Sequence, residues 1–253
     1  MTSILTLTCL VMMVIPAAVG NILAYPVSKR LSVKISDYIV KVLAPRFFAI
    51  LKKYRKFNFW GYKDSKKLLP ENFTVISNHQ SLIDIPVYMN YFRDKEIRFV
   101  AKDQLARHIP LVSEMLRSQQ HCMIPRKARP MDAMNYIEKF GKRAVERNQV
   151  PVIFPEGTRT KDGLVGKFYS AGFRMLESST KLPVAVCALD GGYNLRSLAK
   201  FFTNLKKGCY RVKVLKVYDA PQTKEECNTI LEEARVMIQK QLDEWKNLPS
   251  DKE

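Results

Sequence analysis

The 253-residue chain is poor in the residues that build metal centres and covalent staples. It has three His and five Cys (Cys9, Cys122, Cys187, Cys209, Cys227), with no Cys-x-x-Cys pair. That excludes a zinc site on paired ligands and a disulfide framework, and fits a reducing compartment. Ten Gly and 13 Pro follow no period, which excludes collagen-like and low-complexity architectures. No self-similar repeat appears, so a solenoid is not expected. Acids are also scarce, 24 Asp+Glu against 42 Lys+Arg, giving a formal charge of +18. What the chain does have is apolar content, 47% of residues. Its length suits one sizeable core, with or without an appendage, and its composition excludes a disordered polyelectrolyte.

A charge of +18 asks for an anionic partner, and nucleic acid, a membrane surface and an anionic substrate all satisfy it. Its distribution separates them. Met1 to Ser28 carries no charge, whereas Lys29 to Lys56 carries nine basic residues and one acid, Asp37. Ile4 to Val19 is nearly all apolar, Gly20-Asn21 interrupts, and Ile22 to Val27 resumes. The run reaches the roughly 20 residues that a spanning helix needs. It lacks the basic start of a signal peptide, and Pro16 sits in its middle. Pro16 and Gly20-Asn21 permit either a span or a broken helix dipping into one leaflet. The basic residues all follow the run, so the positive-inside rule places what comes after Lys29 in the cytoplasm. Val33, Tyr38, Val42, Phe48 and Leu51 recur at helical spacing among the basic residues, the pattern of an amphipathic helix on anionic lipid. An ordinary domain helix with a solvated basic face is the alternative. Residues 1–58 are therefore expected to be membrane-anchoring and amphipathic helices, and residues 59–253 a separate domain.

From Phe59 onward short apolar runs alternate with longer helical stretches. The spacing predicts strands at Phe73 to Ser77, Ile97 to Ala101, His121 to Ile124, Val150 to Phe154, Val184 to Leu189 and Tyr210 to Val217. Helices are predicted at Ile85 to Phe92, Asp103 to Leu116, Pro130 to Arg147, Ser170 to Ser178 and Thr223 to Trp245. The last carries Leu231, Ala234, Ile238, Leu242 and Trp245 on one face. Alternation of this kind argues for an α/β fold with a sheet covered by helices, in which chemistry sits at strand ends.

Two strand ends carry unusual residues. Val75-Ile76-Ser77 leads into Asn78-His79-Gln80-Ser81-Leu82-Ile83-Asp84. On a regular helix residues five apart lie about 140° from one another, so His79 and Asp84 can meet only if His79 precedes the helix and Asp84 sits in its first turn. Asp84 could then hold one imidazole nitrogen and leave the other to take a proton from a hydroxyl. A hydrogen-bonded structural histidine is the plainer alternative. The second strand end runs Val152-Ile153-Phe154-Pro155-Glu156-Gly157-Thr158-Arg159. Gly157 lets the backbone approach a ligand, Thr158 offers a hydroxyl, and Arg159 a planar fork suited to phosphate. An ordinary turn with a surface ion pair would look the same.

Asn-His-x-Ser-x-x-Asp at Asn78 to Asp84, followed by Phe-Pro-Glu-Gly-Thr-Arg at Phe154 to Arg159, resembles the glycerolipid acyltransferases, specifically the 1-acylglycerol-3-phosphate O-acyltransferases. Phe99 to Lys102, running on through Ile109-Pro110 to Ile124-Pro125-Arg126, looks like the family's second motif. Leu182 to Cys187 is similar to its fourth. Two departures adjoin surfaces that select acceptor and acyl chain: a glycine common in the second motif is replaced around Gln119-Gln120, and a proline common in the fourth is Val186.

The resemblance implies the glycerolipid acyltransferase fold and transfer of a fatty acyl group from acyl-CoA or acyl carrier protein to the free hydroxyl of lysophosphatidic acid. His79 would be the base and Asp84 its orienting partner. Lys102, Arg126 and Arg159 would hold the phosphate, while Glu156, Gly157 and Thr158 orient the acceptor. No metal or cofactor is implied beyond the acyl donor. The partners implied are membrane phospholipid and lysophospholipid rather than nucleic acid, and the location a membrane with the domain on its cytoplasmic face. Glycerol-3-phosphate or another lysophospholipid is the alternative acceptor. A serine hydrolase is disfavoured because no Gly-x-Ser-x-Gly elbow occurs; Ser170-Ala171-Gly172 lacks the first glycine. A nucleic-acid binder leaves the charge-free N-terminus without a reason.

Overall fold

In the computed structural model the described residues are 2–102, 112–195 and 208–249. Seven strands form one sheet: β1 (Asn58–Gly61), β2 (Thr74–Ser77), β3 (Ile97–Lys102), β4 (Cys122–Ile124), β5 (Val150–Ile153), β6 (Val184–Asp190) and β7 (Cys209–Tyr218). Their order is β1-β7-β6-β2-β5-β3-β4. Every neighbouring pair is parallel except β6 with β7, so the sheet is mixed. The helices are α1 (Thr2–Val27), α2 (Lys29–Tyr38), α3 (Ala44–Arg55), α4 (Asp84–Tyr91), α5 (Val112–Ser118), α6 (Pro130–Glu146), α7 (Ser170–Thr180) and α8 (Lys224–Lys246). A short π-helical stretch, Ile39–Leu43, joins α2 to α3.

Strand alternation assigns the two faces. Val75, Val152 and Ala185 point to one side, packing with Tyr88, Met89 and Phe92 from α4 and its C-terminal end. Ile76, Ile153 and Val186 point to the other, against Ile137 and Phe140 of α6, Phe173 and Leu176 of α7, and the α8 stripe. All five residues of the expected α8 stripe are buried there. Helices on both faces explain why the parallel strands read as unbroken apolar runs.

The elements from Phe73 onward follow the sequence pattern closely; of the expected helix Asp103 to Leu116, residues 103–111 lie outside the described residues. The edge strand β1 was not anticipated. It is only four residues long, and its pairing with β7 is set by a segment about 150 positions later.

The N-terminal helices depart further from expectation. α1 is continuous through Pro16, and Asn21 is not a break. It is fully buried against α2, donating from Nδ2 to Ser36 Oγ at 3.0 Å and accepting from Ser32 Oγ at 2.6 Å. Ser36 in turn meets Ser118 of α5 at 2.8 Å. α1 thus folds back along α2, and among the described residues no helix is long and apolar enough to cross a membrane. A span is accordingly unsupported. Of the stripe expected to lie on lipid, Phe48 and Leu51 are buried and, with Ile39, Leu43 and Phe57, share one core with Val75, Tyr88 and Tyr210, whereas Val33 and Val42 are half-buried and Tyr38 is exposed. The boundary expected at residue 58 falls on β1, in the middle of that shared core.

Candidate active site

β2 ends at Ser77, and the chain runs irregularly until α4 begins at Asp84. This strand-turn-helix path brings His79 back to Asp84, with Nδ1 2.8 Å from Oδ2. The same oxygen accepts the backbone N–H groups of Gln80 (2.6 Å) and Ser81 (2.8 Å). Asp84 has no exposed surface, whereas the His79 side chain retains some. In the tautomer that places Nδ1–H on the carboxylate, Nε2 carries the lone pair.

Both neighbours of His79 tie its loop to the sheet. Asn78 pairs twice with the Leu189 backbone, donating to its carbonyl at 2.8 Å and accepting its N–H at 2.9 Å. Gln80 Oε1 accepts the N–H groups of Gly192 (2.8 Å) and Tyr193 (3.1 Å). From the other side, β2 and β5 are paired, so the Phe154–Thr160 turn stands beside this loop. Glu156 Oε1 accepts the His79 N–H at 2.8 Å and Oε2 the Gly166 N–H at 3.0 Å. The Thr160 N–H donates to the His79 carbonyl at 2.9 Å. The Phe154 ring stacks on the imidazole, centroids 4.3 Å apart and planes 12° from parallel.

Glu156 therefore has a different task from the one expected. It is buried, both its oxygens are engaged by backbone N–H groups, and it fastens the His79 loop instead of facing a ligand. Burial raises its carboxyl above the ordinary value, and the two N–H donors oppose that rise.

In front of His79 lies a cleft of about 510 Å³. Lys102 at the end of β3, Arg126 just past β4, and Gly157, Thr158 and Arg159 past β5 line it together with His79. Leu82, Phe99, Met134, Ile137 and Ile153 supply an apolar part. One cleft thus joins a carboxylate-bound histidine, three cationic side chains and an apolar wall, at the C-terminal ends of parallel strands. Gly157 sits at φ +62° with open space around its Cα, so backbone conformation, not crowding, calls for glycine there.

The sequence reading gave no role to Asn78, Gln80 or Phe154, although they flank or belong to the motifs. Their partners lie up to 113 positions away, and no local spacing announces them. His121 is a different case: buried, accepting the Phe99 N–H at 2.9 Å, and held well below the usual imidazole range by burial and then by Arg98 and Arg143. It is neutral scaffolding.

Residues 61–190, just over half of the chain, match the family model described as Acyltransferase. The chain belongs to the acyltransferase family. Among curated proteins it is similar to the 1-acyl-sn-glycerol-3-phosphate acyltransferase of Cocos nucifera, 33% identical over 116 residues, which are 46% of this chain and 36% of that protein. The enzyme of the same name from Helicobacter pylori is 29% identical over 110 residues, 44% of this chain and 45% of that one. The beta form from Homo sapiens is 27% identical over 143 residues, 56% and 49% of the two chains. The chain thus spans less than half the length of these relatives. Among solved structures it resembles the 1-acyl-sn-glycerophosphate (LPA) acyltransferase PlsC of Thermotoga maritima, TM-score 0.65 at 22% identity, covering 98% of this chain and 99% of that one. That likeness extends the shared fold to nearly the whole chain.

Proposed function

We propose that the protein transfers a fatty acyl group from acyl-CoA or acyl carrier protein to the free hydroxyl of 1-acylglycerol-3-phosphate, giving phosphatidic acid. The observation that carries this reading is the 2.8 Å contact of His79 with buried Asp84 at the mouth of a cleft lined by Lys102, Arg126 and Arg159. The names of the relatives point to the same acceptor. His79 Nε2 takes the hydroxyl proton as the oxygen attacks the thioester carbonyl. The O–C bond forms, the C–S bond breaks, and the thiolate leaves with the proton held on Nε2. A thioester is already activated, so this route needs neither a covalent acyl-enzyme nor a cofactor. The three cations bind the acceptor phosphate and aim the hydroxyl at His79, with Gly157 and Thr158 forming the turn against it.

Purified protein assayed against lysophospholipids and glycerol-3-phosphate, with both donor types, tests this directly. Lysophosphatidic acid is expected to be the best acceptor, and His79→Ala to lose roughly 10²- to 10⁴-fold in rate. Turnover confined to glycerol-3-phosphate or to a neutral lysolipid would transfer the reading to that acceptor. An unaffected His79→Ala would end it.

The same reading puts the protein on a membrane, with its catalytic domain on the cytoplasmic side and α1 embedded in the interface. Met12, Ile15, Val19 and Leu23 are exposed at steps of 3, 4 and 4 along α1, an apolar face on the side away from Asn21. The exposed Lys29, Arg30, Lys34, Lys41, Lys52 and Lys53 supply attraction to anionic lipid. Flotation with anionic and with neutral vesicles measures it: binding should weaken with salt on anionic vesicles, and absence of binding to both would exclude an embedded α1.

A further inference from the structure

The Asp84 carboxylate has a second oxygen, and a residue outside the matched family region serves it. Tyr210 stands on β7 with no exposed surface, and its hydroxyl lies 3.3 Å from Asp84 Oδ1. The three other donors to Asp84, from His79, Gln80 and Ser81, all converge on Oδ2. Tyr210 is thus the one donor to Oδ1 among the described residues. Gly192 makes the approach possible: a Cβ there would stand 2.6 Å from Asp84 Oδ1, 2.7 Å from the Tyr210 oxygen and 2.9 Å from Gln80 Cβ. Phe57 packs on the phenol ring, centroids 6.1 Å apart, and fixes it from the side of the N-terminal helices.

We infer that Tyr210 is a positioning residue for the His79–Asp84 pair, and that Gly192 holds open the space in which it reaches the carboxylate. The inference rests on His79 being the base of the proposed reaction. A carboxylate held at one oxygen can swing about that oxygen, whereas donors at both ends fix its plane, and with it the plane of the imidazole on Oδ2. Tyr210 stays a neutral phenol, because burial first, and then the Asp84 charge, push its hydroxyl well above the usual range. It can therefore donate to Asp84 and does not compete with it as an anion. The other ionisable groups nearby are Glu156 behind His79, Tyr88 on α4, and Asp190 on β6 with Arg211 4.0 Å from it. Gln80 Nε2 donates to Asp190 at 3.4 Å, so that carboxylate is engaged on the far side of Gln80. None of these is a donor to Oδ1.

Tyr210→Phe keeps the ring and its packing and removes one donor. The first readout is the low-field proton NMR signal of the His79 Nδ1–H in protein labelled at the imidazole nitrogens, recorded on the full chain without substrate. Losing the donor on Oδ1 leaves more of the carboxylate's negative charge on Oδ2, which strengthens its hydrogen bond with the Nδ1–H, so the signal should move further downfield. The second is kinetics: kcat should fall about tenfold, the size of one hydrogen bond to a charged group, with KM for the acceptor and the donor unchanged. Gly192→Ala, which wedges the phenol from the carboxylate, should move both readouts in the same direction. An unmoved Nδ1–H signal in folded Tyr210→Phe overturns the inference whatever the rate does, since loss of packing alone does not touch that proton. A shifted signal in a protein whose wild type acylates no lysophospholipid would uphold the Tyr210 contact and reject the proposed reaction.

Discussion

Arg159 shows what the cleft asks of single residues. Its turn follows β5, it lines the cleft with Lys102 and Arg126, and it is exposed. A guanidinium presents two parallel donors that fit two phosphate oxygens, whereas an ammonium is a point charge on a flexible stem. Arg159→Lys is therefore expected to lower kcat/KM for phosphate-bearing acceptors about tenfold or more, with the donor KM little changed. The reverse pattern, a normal acceptor and a weakened acyl donor, would assign Arg159 to the phosphates of coenzyme A. The residues behind His79 obey a different logic. Glu156 and Asn78 hold backbone groups, and Gln80 holds two backbone N–H groups and Asp190, so their changes should disturb the placing of His79 and not the recognition of charge.

At the scale of elements, α1 has two faces with two tasks. One buries Asn21 against Ser32 and Ser36 of α2, and the network continues through Ser36 to Ser118. Asn21→Ala leaves the Ser32 hydroxyl without its partner in a buried place, which costs about 1 to 3 kcal/mol. The melting temperature should fall by a few degrees, read by thermal unfolding of the purified protein. The opposite face carries Leu23 in the open. Leu23→Ser should leave the melting temperature where it was and weaken vesicle flotation. If the two substitutions exchange effects, the assignment of the faces is wrong. Removing α1 altogether is a poorer test, because it strips cover from α2 and α3, whose apolar residues belong to the main core.

Over the whole molecule, the pH dependence of stability has an unusual contributor far from the cleft. Glu177 at the end of α7 is buried, and burial raises its carboxyl to about 8. The hydroxyls of Thr74 and Thr180 oppose the rise. Among the described residues neither carboxyl oxygen has a hydrogen-bond partner, so burial is the dominant influence. The folded protein therefore holds a proton that the unfolded chain releases near 4.5. Stability from this group is full below that value and is lost as pH rises toward 8, with a slope approaching about 1.4 kcal/mol per pH unit inside the window. The melting temperature of the native protein should fall between pH 5 and 8, and Glu177→Gln should flatten that fall. Parallel curves for the two proteins would mean that Glu177 is ionised in the fold.

What the sequence determined by itself was whatever is local. Strand and helix order from Phe73 onward follows from apolar periodicity, and a strand end, a five-residue spacing and the first turn of a helix permitted the meeting of His79 with Asp84 that the fold then made. Arg159 was legible as a strand-end residue, whereas Lys102 and Arg126 were singled out only by the resemblance to the acyltransferase motifs. Three things were decided only by tertiary structure. β1 forms because β7 offers it an edge, and its four residues carry no signal of their own. Residues 29–56 look like a lipid-facing amphipathic helix, but the sheet offers the C-terminal part of its apolar stripe, Phe48 and Leu51, a packed surface in the core, while Tyr38 stays exposed. Glu156 and Tyr210 gained their tasks from neighbours 77 and 126 positions away. A side chain's partner across a sheet depends on strand order and register, and the hydrophobic periodicity of one strand is the same whichever strand lies beside it.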